Sequence, residues 1–221
     1  MKKTIFALTV VITLVSCKKE EMPTSIEENL SPIEKLIAGN QRFLEEKTIH
    51  PHQNKNSILK NQNSQHPFAV IVTCSDSRVA PEILFDQGIG DLFVIRNAGN
   101  LISDIDMGSI EYAVEHLDAK LIVVLGHTEC GAIKAYISDK NNDYKKHHNH
   151  IDYIVETIAN EQEEKQEERL HLKEKNLLGC INANIDHSAK SIKNNPTIKK
   201  HKTIVIAMSY DVHTGKIKKI K

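Results

Sequence analysis

Four short apolar runs, rich in valine and isoleucine, are spread along the chain with helical patterns between them. Such runs predict strands that are buried on both faces of a sheet. The runs cover residues 68–73, 92–95, 121–125 and 203–210. Because strands that alternate with helices pair in parallel, the sequence predicts an α/β fold in which helices flank a central, mostly parallel sheet.

Local signals indicate where some elements begin and end. Ser31, Pro32 and Glu34 are typical of a helix start, with serine as the N-cap and glutamate three residues later. Residues 47–66 are rich in Asn, Gln, His and Lys and predict a polar loop. Residues 216–220 predict an edge strand after a turn.

The beginning of the sequence is typical of an exported chain. Two lysines precede an apolar run at residues 5–15 that is too short for a membrane-spanning helix. The tetrapeptide Leu-Val-Ser-Cys that ends at Cys17 resembles a bacterial lipobox. We therefore predict cleavage before Cys17 and a lipid on its thiol. An ordinary signal peptide followed by a chance cysteine is the alternative.

This interpretation divides the chain into three parts. Residues 1–16 are the predicted lipoprotein signal peptide, residues 17–30 the lipidated cysteine and a flexible tether, and residues 31–221 one domain. The expected location is the bacterial cell envelope, with the lipid in the outer membrane and the domain facing the periplasm or the surface.

The charge balance argues against nucleic acid as a partner. Lys+Arg and Asp+Glu both number 29, so the formal net charge is zero and no overall field attracts a polyanion. Tryptophan is absent and only five Phe and five Tyr occur, which leaves few aromatic surfaces for base stacking.

The cysteines suggest a metal. If Cys17 carries the lipid, three cysteines remain, which is an odd number. They are Cys74, Cys130 and Cys180. Exported proteins normally pair their cysteines as disulfides. A metal that binds two of them as thiolates explains why they need not pair. A disulfide between Cys74 and Cys130 is the competing interpretation.

Two distant segments carry candidate ligands. Cys74 and His127 each follow a predicted strand, and the carboxyl ends of parallel strands meet at one edge of a sheet. Cys130 lies three residues after His127, close enough to face the same ion across a tight turn. Two thiolates and an imidazole suit zinc, and three protein ligands leave a coordination position for water, as in catalytic zinc sites.

Longer motifs resemble the β-class carbonic anhydrases, and the plant-like subgroup in particular. They are Cys-Ser-Asp-Ser-Arg at 74–78, Asp-Leu-Phe-Val-Ile-Arg-Asn-Ala-Gly-Asn at 91–100, His-Thr-Glu-Cys-Gly at 127–131 and Tyr-Asp-Val-His-Thr-Gly at 210–215. The resemblance implies that family's α/β fold, a homodimer or a higher homo-oligomer, and one Zn²⁺ per site. It assigns the zinc ligands to Cys74, His127 and Cys130.

The resemblance also assigns the remaining site residues. Asp76 and Arg78 match the family's catalytic dyad, in which the arginine can hold the carboxylate as a bidentate partner. Gln65, Phe93 and Tyr112 match residues of the substrate pocket, although plain core packing is the alternative for the two aromatic rings. The implied reaction is reversible hydration of carbon dioxide to bicarbonate and a proton by zinc-bound hydroxide.

Two other functions remain open at the level of sequence. Some relatives of this family hydrolyse carbon disulfide or carbonyl sulfide with the same ligands, and only the shape of the pocket would separate them. A lipoprotein that binds zinc without catalysis is the second alternative. It predicts a closed metal site in which Asp76 and Arg78 have no function.

Overall fold

Five strands form the centre of the computed structural model, which describes residues 29–140, 149–161, 165 and 176–220. They are β1 (Ala69–Cys74), β2 (Leu92–Asn97), β3 (Leu121–His127), β4 (Ile204–Tyr210) and β5 (Ile217–Lys219). Their order in the sheet is β2-β1-β3-β4-β5. The first four pair in parallel and β5 runs antiparallel to β4, which confirms the predicted α/β fold with a mostly parallel sheet.

Helices pack on both faces of this sheet. The described helices are α1 (Pro32–Leu44), α2 (Lys55–Asn61), α3 (Pro81–Leu84), α4 (Asp104–His116), α5 (Gly131–Lys140), α6 (His150–Asn160), α7 (Leu177–Asn194) and α8 (Pro196–His201). The predicted start of α1 is confirmed, because the Glu34 carboxylate accepts a hydrogen bond from the backbone N–H of Ser31 at 2.8 Å. This contact satisfies a donor that a helix end leaves unpaired.

The predicted loop over residues 47–66 is partly wrong, since α2 lies within it. This helix has no apolar stripe, and its sequence pattern therefore resembles a loop. A local cap supports it instead: the side chain of Asn54 accepts a hydrogen bond from the backbone N–H of Ser57 at 3.1 Å. An N-cap of this kind stabilises a helix by about 1 kcal/mol.

The central strands contribute to two hydrophobic cores, one on each face of the sheet. Val70 and Val72 pack in the core that α4, α5, α6 and α7 cover. Ile71 packs on the opposite side, with Leu36 of α1 and Phe85. Because successive side chains of a strand point to opposite faces, β1 and β3 are buried along their whole length. Their carboxyl ends are therefore held rigidly.

A buried asparagine ties α1 to the far edge of the sheet. Asn40, which is 5% exposed, donates from Nδ2 to the carbonyl oxygens of Leu84 and Gly215, each at 3.1 Å. Its Oδ1 accepts from the backbone N–H of Ile217 at 3.2 Å. One side chain thus joins the end of α3, the turn after β4 and the start of β5.

Gly126 brings the end of β3 against α7. A Cβ atom at this position would lie 2.3 Å from Cγ1 and 2.4 Å from Cδ1 of Ile185, which is itself fully buried. Real Cβ contacts are longer than this, so only glycine fits unless Ile185 moves. The close approach sets the distance between α7 and the strand that ends at His127.

The predicted signal peptide, the lipidated Cys17 and most of the tether lie outside the described residues. All the strands and helices given above fall within Ser31–Lys221, which forms one compact unit. Among the residues that the structure describes, no helix combines the length and the apolar composition needed to cross a bilayer.

We predict that Gly126→Ala destabilises the protein mainly through its clash with Ile185. Overpacking of this kind costs about 1–3 kcal/mol, and Ile185→Ala costs about 2–5 kcal/mol through the cavity it leaves. In the double variant the clashing atoms of Ile185 are absent. Its loss of unfolding free energy should therefore be smaller than the sum of the losses in the two single variants. Urea unfolding of the four proteins measures this coupling, and strictly additive losses would contradict the packing described here.

Candidate metal centre

Three potential metal ligands meet at the carboxyl edge of the sheet. The ligand atoms of Cys74, His127 and Cys130 all lie within 4.8 Å of one another. The three residues are 6%, 0% and 2% exposed, respectively. The predicted ligands are thus brought together as one buried group, while their role in binding metal stays a prediction.

The fold explains why these residues converge. β1 and β3 are parallel neighbours, with Thr73 in register with Leu125, so Cys74 and His127 leave the sheet side by side. The chain then turns back within two residues. Glu129 has a left-handed backbone with φ of 62°, a conformation that is unfavourable for a residue with a side chain. This turn directs Cys130 towards the same point as His127.

Thr128 determines which nitrogen of His127 is available. Nδ1 of His127 lies 2.8 Å from the carbonyl oxygen of Thr128, and because a carbonyl only accepts, Nδ1 must carry the proton. Nε2 is then left with a lone pair; it is buried and has no hydrogen-bond partner among the described residues. Metal-binding histidines commonly have this arrangement, in which the second ring nitrogen donates to a carbonyl.

Thr128 is itself held by β4 and the turn that follows. Its backbone N–H donates to the carbonyl oxygen of Tyr210 at 2.9 Å. Its Oγ1 accepts from the backbone N–H of Val212 at 3.0 Å and donates to Oδ1 of Asp211 at 3.4 Å. The ring of His127 is therefore oriented by the carbonyl of a residue whose backbone N–H and hydroxyl are both hydrogen-bonded.

The two thiols are too close to ionise independently. A hydrogen bond from Cys130 lowers the pKa of Cys74, and the backbone N–H of Gly99, 3.4 Å from its Sγ, adds to this effect. The same contact with Cys74, together with burial, raises the pKa of Cys130. A second thiolate beside the first requires a positive charge between them, which a divalent cation supplies.

A tight turn after β2 presents the N–H of Gly99 to Cys74. Gly99 has φ of 80°, which glycine adopts without strain. Two side chains of α7 hold this turn: Nδ2 of Asn184 donates to the carbonyl oxygen of Gly99 at 2.8 Å, and Oγ of Ser188 donates to that of Asn100 at 2.9 Å. The hydrogen bond to Cys74 therefore depends on the packing of α7 against the sheet.

These observations fit a zinc ion. Two sulfurs and one imidazole nitrogen form a borderline-soft donor set. Zinc binds such donors, whereas magnesium and calcium prefer oxygen ligands. The unpartnered Nε2 and the pair of adjacent thiols would be satisfied together by one divalent cation. Among the described residues the group contains three ligands, the number found in catalytic rather than structural zinc sites.

Asp76 and Arg78 form a bidentate ion pair at the entrance to this group. Nε of Arg78 donates to Oδ1 of Asp76 at 2.9 Å, and its Nη2 donates to Oδ2 at 2.7 Å. The guanidinium holds the pKa of the Asp76 carboxyl well below its usual range. Oδ2 also lies 4.0 Å from Nε2 of His127. An ionised acceptor is thus fixed next to the candidate metal ligands.

Arg96 supports the backbone of this segment. Its Nη2 donates to the carbonyl oxygen of Asp76 at 2.9 Å, and its Nε donates to that of Cys74 at 3.3 Å. Arg78 makes a further contact across the entrance, from Nη2 to the carbonyl oxygen of Glu129 at 3.4 Å. The segment that carries His127 and Cys130 and the segment that carries Asp76 are therefore connected directly.

The three predicted pocket residues do not join the metal ligands within one protomer. Gln65 is exposed and precedes β1, whereas Cys74 ends this strand. Phe93 is the second residue of β2, and its ring centroid lies 6.5 Å from that of Tyr112, which is 47% exposed. The amino ends of parallel strands lie at the edge opposite their carboxyl ends. The pocket role of these residues stays a prediction.

Sequence reasoning assigned no role to the residues that position the ligands. Thr128, Gly99 and Arg96 stood within the matched motifs, but their contacts depend on tertiary packing. Asn184 carried no signal, because a polar residue in a helix usually faces solvent. Its burial at 1% exposure is what identifies it.

Comparison with known proteins identifies the family of these motifs. The family model described as "Carbonic anhydrase" matches residues 69–217. The carbonic anhydrase of Mycolicibacterium smegmatis is 53% identical over 103 residues, which are 47% of this chain and 50% of that protein. Carbonic anhydrase 2 of Mycobacterium tuberculosis is 46% identical over 124 residues, 56% of this chain and 59% of that protein. The match thus spans between half and three fifths of the length of these curated relatives.

Solved structures extend the similarity over most of the fold. The structure of the β-carbonic anhydrase CcaA matches with a TM-score of 0.65 and 25% identity, over 86% of this chain and 95% of that one. One of two tetrameric β-carbonic anhydrases from the filamentous ascomycete Sordaria macrospora matches with a TM-score of 0.64 and 28% identity, over 85% and 96%.

We predict that Cys130→Ser abolishes stable zinc binding and that Cys180→Ser does not. A serine hydroxyl stays protonated and is a poor zinc ligand. Cys180 is also buried but lies outside the ligand group, so it provides a matched control. Zinc content after dialysis against a weak chelator measures both. Full zinc retention in Cys130→Ser would contradict the proposed ligand set.

A second prediction concerns Thr128. Thr128→Val removes the hydroxyl that holds the loop, whereas Thr128→Ser keeps it. We expect zinc affinity to fall about tenfold in the valine variant, in line with losses at other outer ligand partners, and to stay close to wild type in the serine variant. Competition with a fluorescent chelator gives these affinities. Equal affinities for the two variants would show that the hydroxyl has no such function.

Proposed function

Because the chain belongs to the carbonic anhydrase family and has the β-class fold, we propose that it catalyses the reversible hydration of carbon dioxide to bicarbonate and a proton. The zinc ion required would be held by Cys74, His127 and Cys130. The observation that supports this most is the ionised, arginine-bound Asp76 carboxylate 4.0 Å from Nε2 of His127.

The proposed chemistry divides between the metal and the chain. When bound, zinc would supply Lewis acidity that lowers the pKa of water far below its bulk value, to about 7. Oδ2 of Asp76 accepts a hydrogen bond from the attacking water and so orients its lone pair towards the carbon of carbon dioxide. Arg78 keeps this carboxylate ionised and aimed through two hydrogen bonds. Asp76 therefore acts as an acceptor that does not itself become protonated.

The surroundings of the ligands favour a small, apolar substrate. Cys74, His127 and Cys130 are almost completely buried, which limits access of bulk water and strengthens the local electrostatic interactions. Carbon dioxide has no net charge and no hydrogen-bond donor, so it loses little hydration free energy when it enters such a site. Carbonyl sulfide and carbon disulfide share these properties, so the assay below includes carbonyl sulfide as a competing substrate.

A non-catalytic zinc lipoprotein is less consistent with the geometry. A storage or structural site is expected to use four protein ligands, whereas the group in the described residues has three. The bidentate Asp76–Arg78 pair would also have no function there. The open arrangement therefore favours catalysis.

We further propose that the protein works as a homodimer or a higher homo-oligomer. Gln65, Phe93 and Tyr112 lie away from the ligands of their own protomer, but a second copy could present the same residues across an interface. The exposed ring of Tyr112 and the tetrameric state of the Sordaria macrospora enzyme support this. In such an assembly, Gln65 would hold a substrate oxygen while the two rings line the pocket.

The export signal leads to a separate proposal about location. We propose that the signal peptide at residues 1–16 is removed and that a lipid on Cys17 anchors the domain in the bacterial cell envelope. The lipobox-like sequence supports this proposal. Radiolabelled palmitate incorporation that disappears in Cys17→Ala is the expected result.

We predict that Asp76→Asn lowers kcat/KM for carbon dioxide hydration by about 10²–10⁴-fold, the range typical of a positioned proton-handling group, while zinc content is unchanged. Asparagine is nearly isosteric but cannot remain a charged acceptor beside Arg78. Stopped-flow hydration with a pH indicator measures the rate, with and without a chelator, and a parallel assay follows carbonyl sulfide.

A matched control makes the same substitution elsewhere. Asp118 is exposed and has a left-handed backbone with φ of 58°, which asparagine also adopts, so Asp118→Asn should keep wild-type activity. Undiminished turnover in Asp76→Asn would exclude Asp76 from the mechanism. If the protein acts on carbonyl sulfide and not on carbon dioxide, the proposed substrate is wrong.

A further inference from the structure

The proposed reaction must dispose of one proton in every cycle. Hydration consumes carbon dioxide and water and yields bicarbonate and a proton, so the site is regenerated only after this proton has left. The candidate ligands are at most 6% exposed, and Asp76 is held ionised by Arg78. An additional group near the entrance, able to accept and release a proton near neutral pH, would allow the cycle to continue. This inference rests on the proposed function.

His213 occupies a suitable position at the same edge of the sheet. β4 ends at Tyr210, which is in register with His127, and His213 follows three residues later. Its Nε2 lies 3.8 Å from Oε1 of Glu129, the residue between the ligands His127 and Cys130. Its side chain is 68% exposed. The imidazole therefore contacts both the ligand loop and the solvent.

Polar groups spaced 2.7–4.0 Å apart lie between the candidate ligands and this imidazole. Oδ2 of Asp76 lies 4.0 Å from His127 and 2.7 Å from Nη2 of Arg78, which reaches the backbone of Glu129. The carboxylate of Glu129 then faces His213. Water molecules along this entrance would have polar partners throughout, as a proton path requires.

The surroundings of His213 fix its backbone and leave its side chain largely exposed. The backbone N–H of His213 donates to Oδ1 of Asp211 at 2.9 Å and fixes the turn that carries this residue. The charged groups that face it are the carboxylates of Glu129 and Asp211, and Lys134, which pairs with Glu129. An imidazole ionises near pH 6.5 in model peptides, close enough to neutrality for transfer in both directions.

Several other described histidines are less suitably placed. His52 pairs with Asp91 ahead of β2, and His201 lies near Glu115 ahead of β4, so both precede their strands at the amino edge of the sheet. They are separated from the ligands by the length of a strand.

We propose that His213 is the proton-transfer residue of this site. Its Nε2 accepts the proton released by hydration, through intervening water, and the imidazolium then passes it to a buffer base in solution. The imidazole returns to its neutral form, so no charge or atom is left over in the cycle.

The test separates proton transfer from the hydration step. In His213→Ala, we expect kcat in weakly buffered solution to fall at least about tenfold, while kcat/KM for carbon dioxide stays at the wild-type value. Added imidazole should restore kcat, because it replaces the missing acceptor. In strongly buffered solution the variant and the wild type should have equal rates.

His150→Ala provides the matched control. His150 is exposed at the start of α6 and should retain wild-type kcat in weak buffer. Zinc content and melting temperature check that both variants are folded and loaded.

Two results would overturn the inference while leaving the proposed function intact. One is wild-type kcat of His213→Ala in weak buffer. The other is a parallel loss of kcat and kcat/KM that imidazole does not restore, which would indicate a structural role. A wild-type protein that fails to hydrate carbon dioxide at all would instead overturn the proposed function, and with it this inference.

Discussion

The parallel pairing of β1 with β3 is the constraint on which the rest of the site depends. It sets the ends of two fully buried strands next to each other, and Cys74 and His127 stand at those ends. A slip of one residue would exchange the two cores and move His127 away from Cys74. The apolar cores that enforce the register therefore also determine the geometry of the candidate ligands, and Cys74 and Cys130 are themselves members of one core.

Around this frame, hydrogen bonds from neighbouring elements set the electronic state of each ligand. The carbonyl of Thr128 leaves Nε2 of His127 as the free nitrogen, and the N–H of Gly99 favours a thiolate at Cys74. Both depend on distant segments, since β4 holds Thr128 and α7 holds the turn of Gly99. A site with three ligands thus draws its preorganisation from four strands and one long helix.

The sequence predicted what periodicity and spacing encode. The four parallel strands, the start of α1 and the meeting of three ligands were all accessible, because each rests on local patterns or on the geometry of parallel strands. α2 was missed because its residues are polar and its cap is a single asparagine. The roles of Thr128 and Asn184 depend on contacts between elements far apart in the chain. Gln65, Phe93 and Tyr112 keep their predicted role only if a second protomer is considered.

The side chain of Asn40 has a consequence for how the molecule is assembled. It links α1 to Gly215 and Ile217, partners 175 and 177 residues further along the chain. During synthesis, α1 is made long before β5, and of its three partners the buried Asn40 amide finds only the carbonyl of Leu84 until the later segment is present. Contacts of such long range slow folding. The two hydrogen bonds that join α1 to this edge of the sheet can therefore form only after the segment that contains β5 has been made.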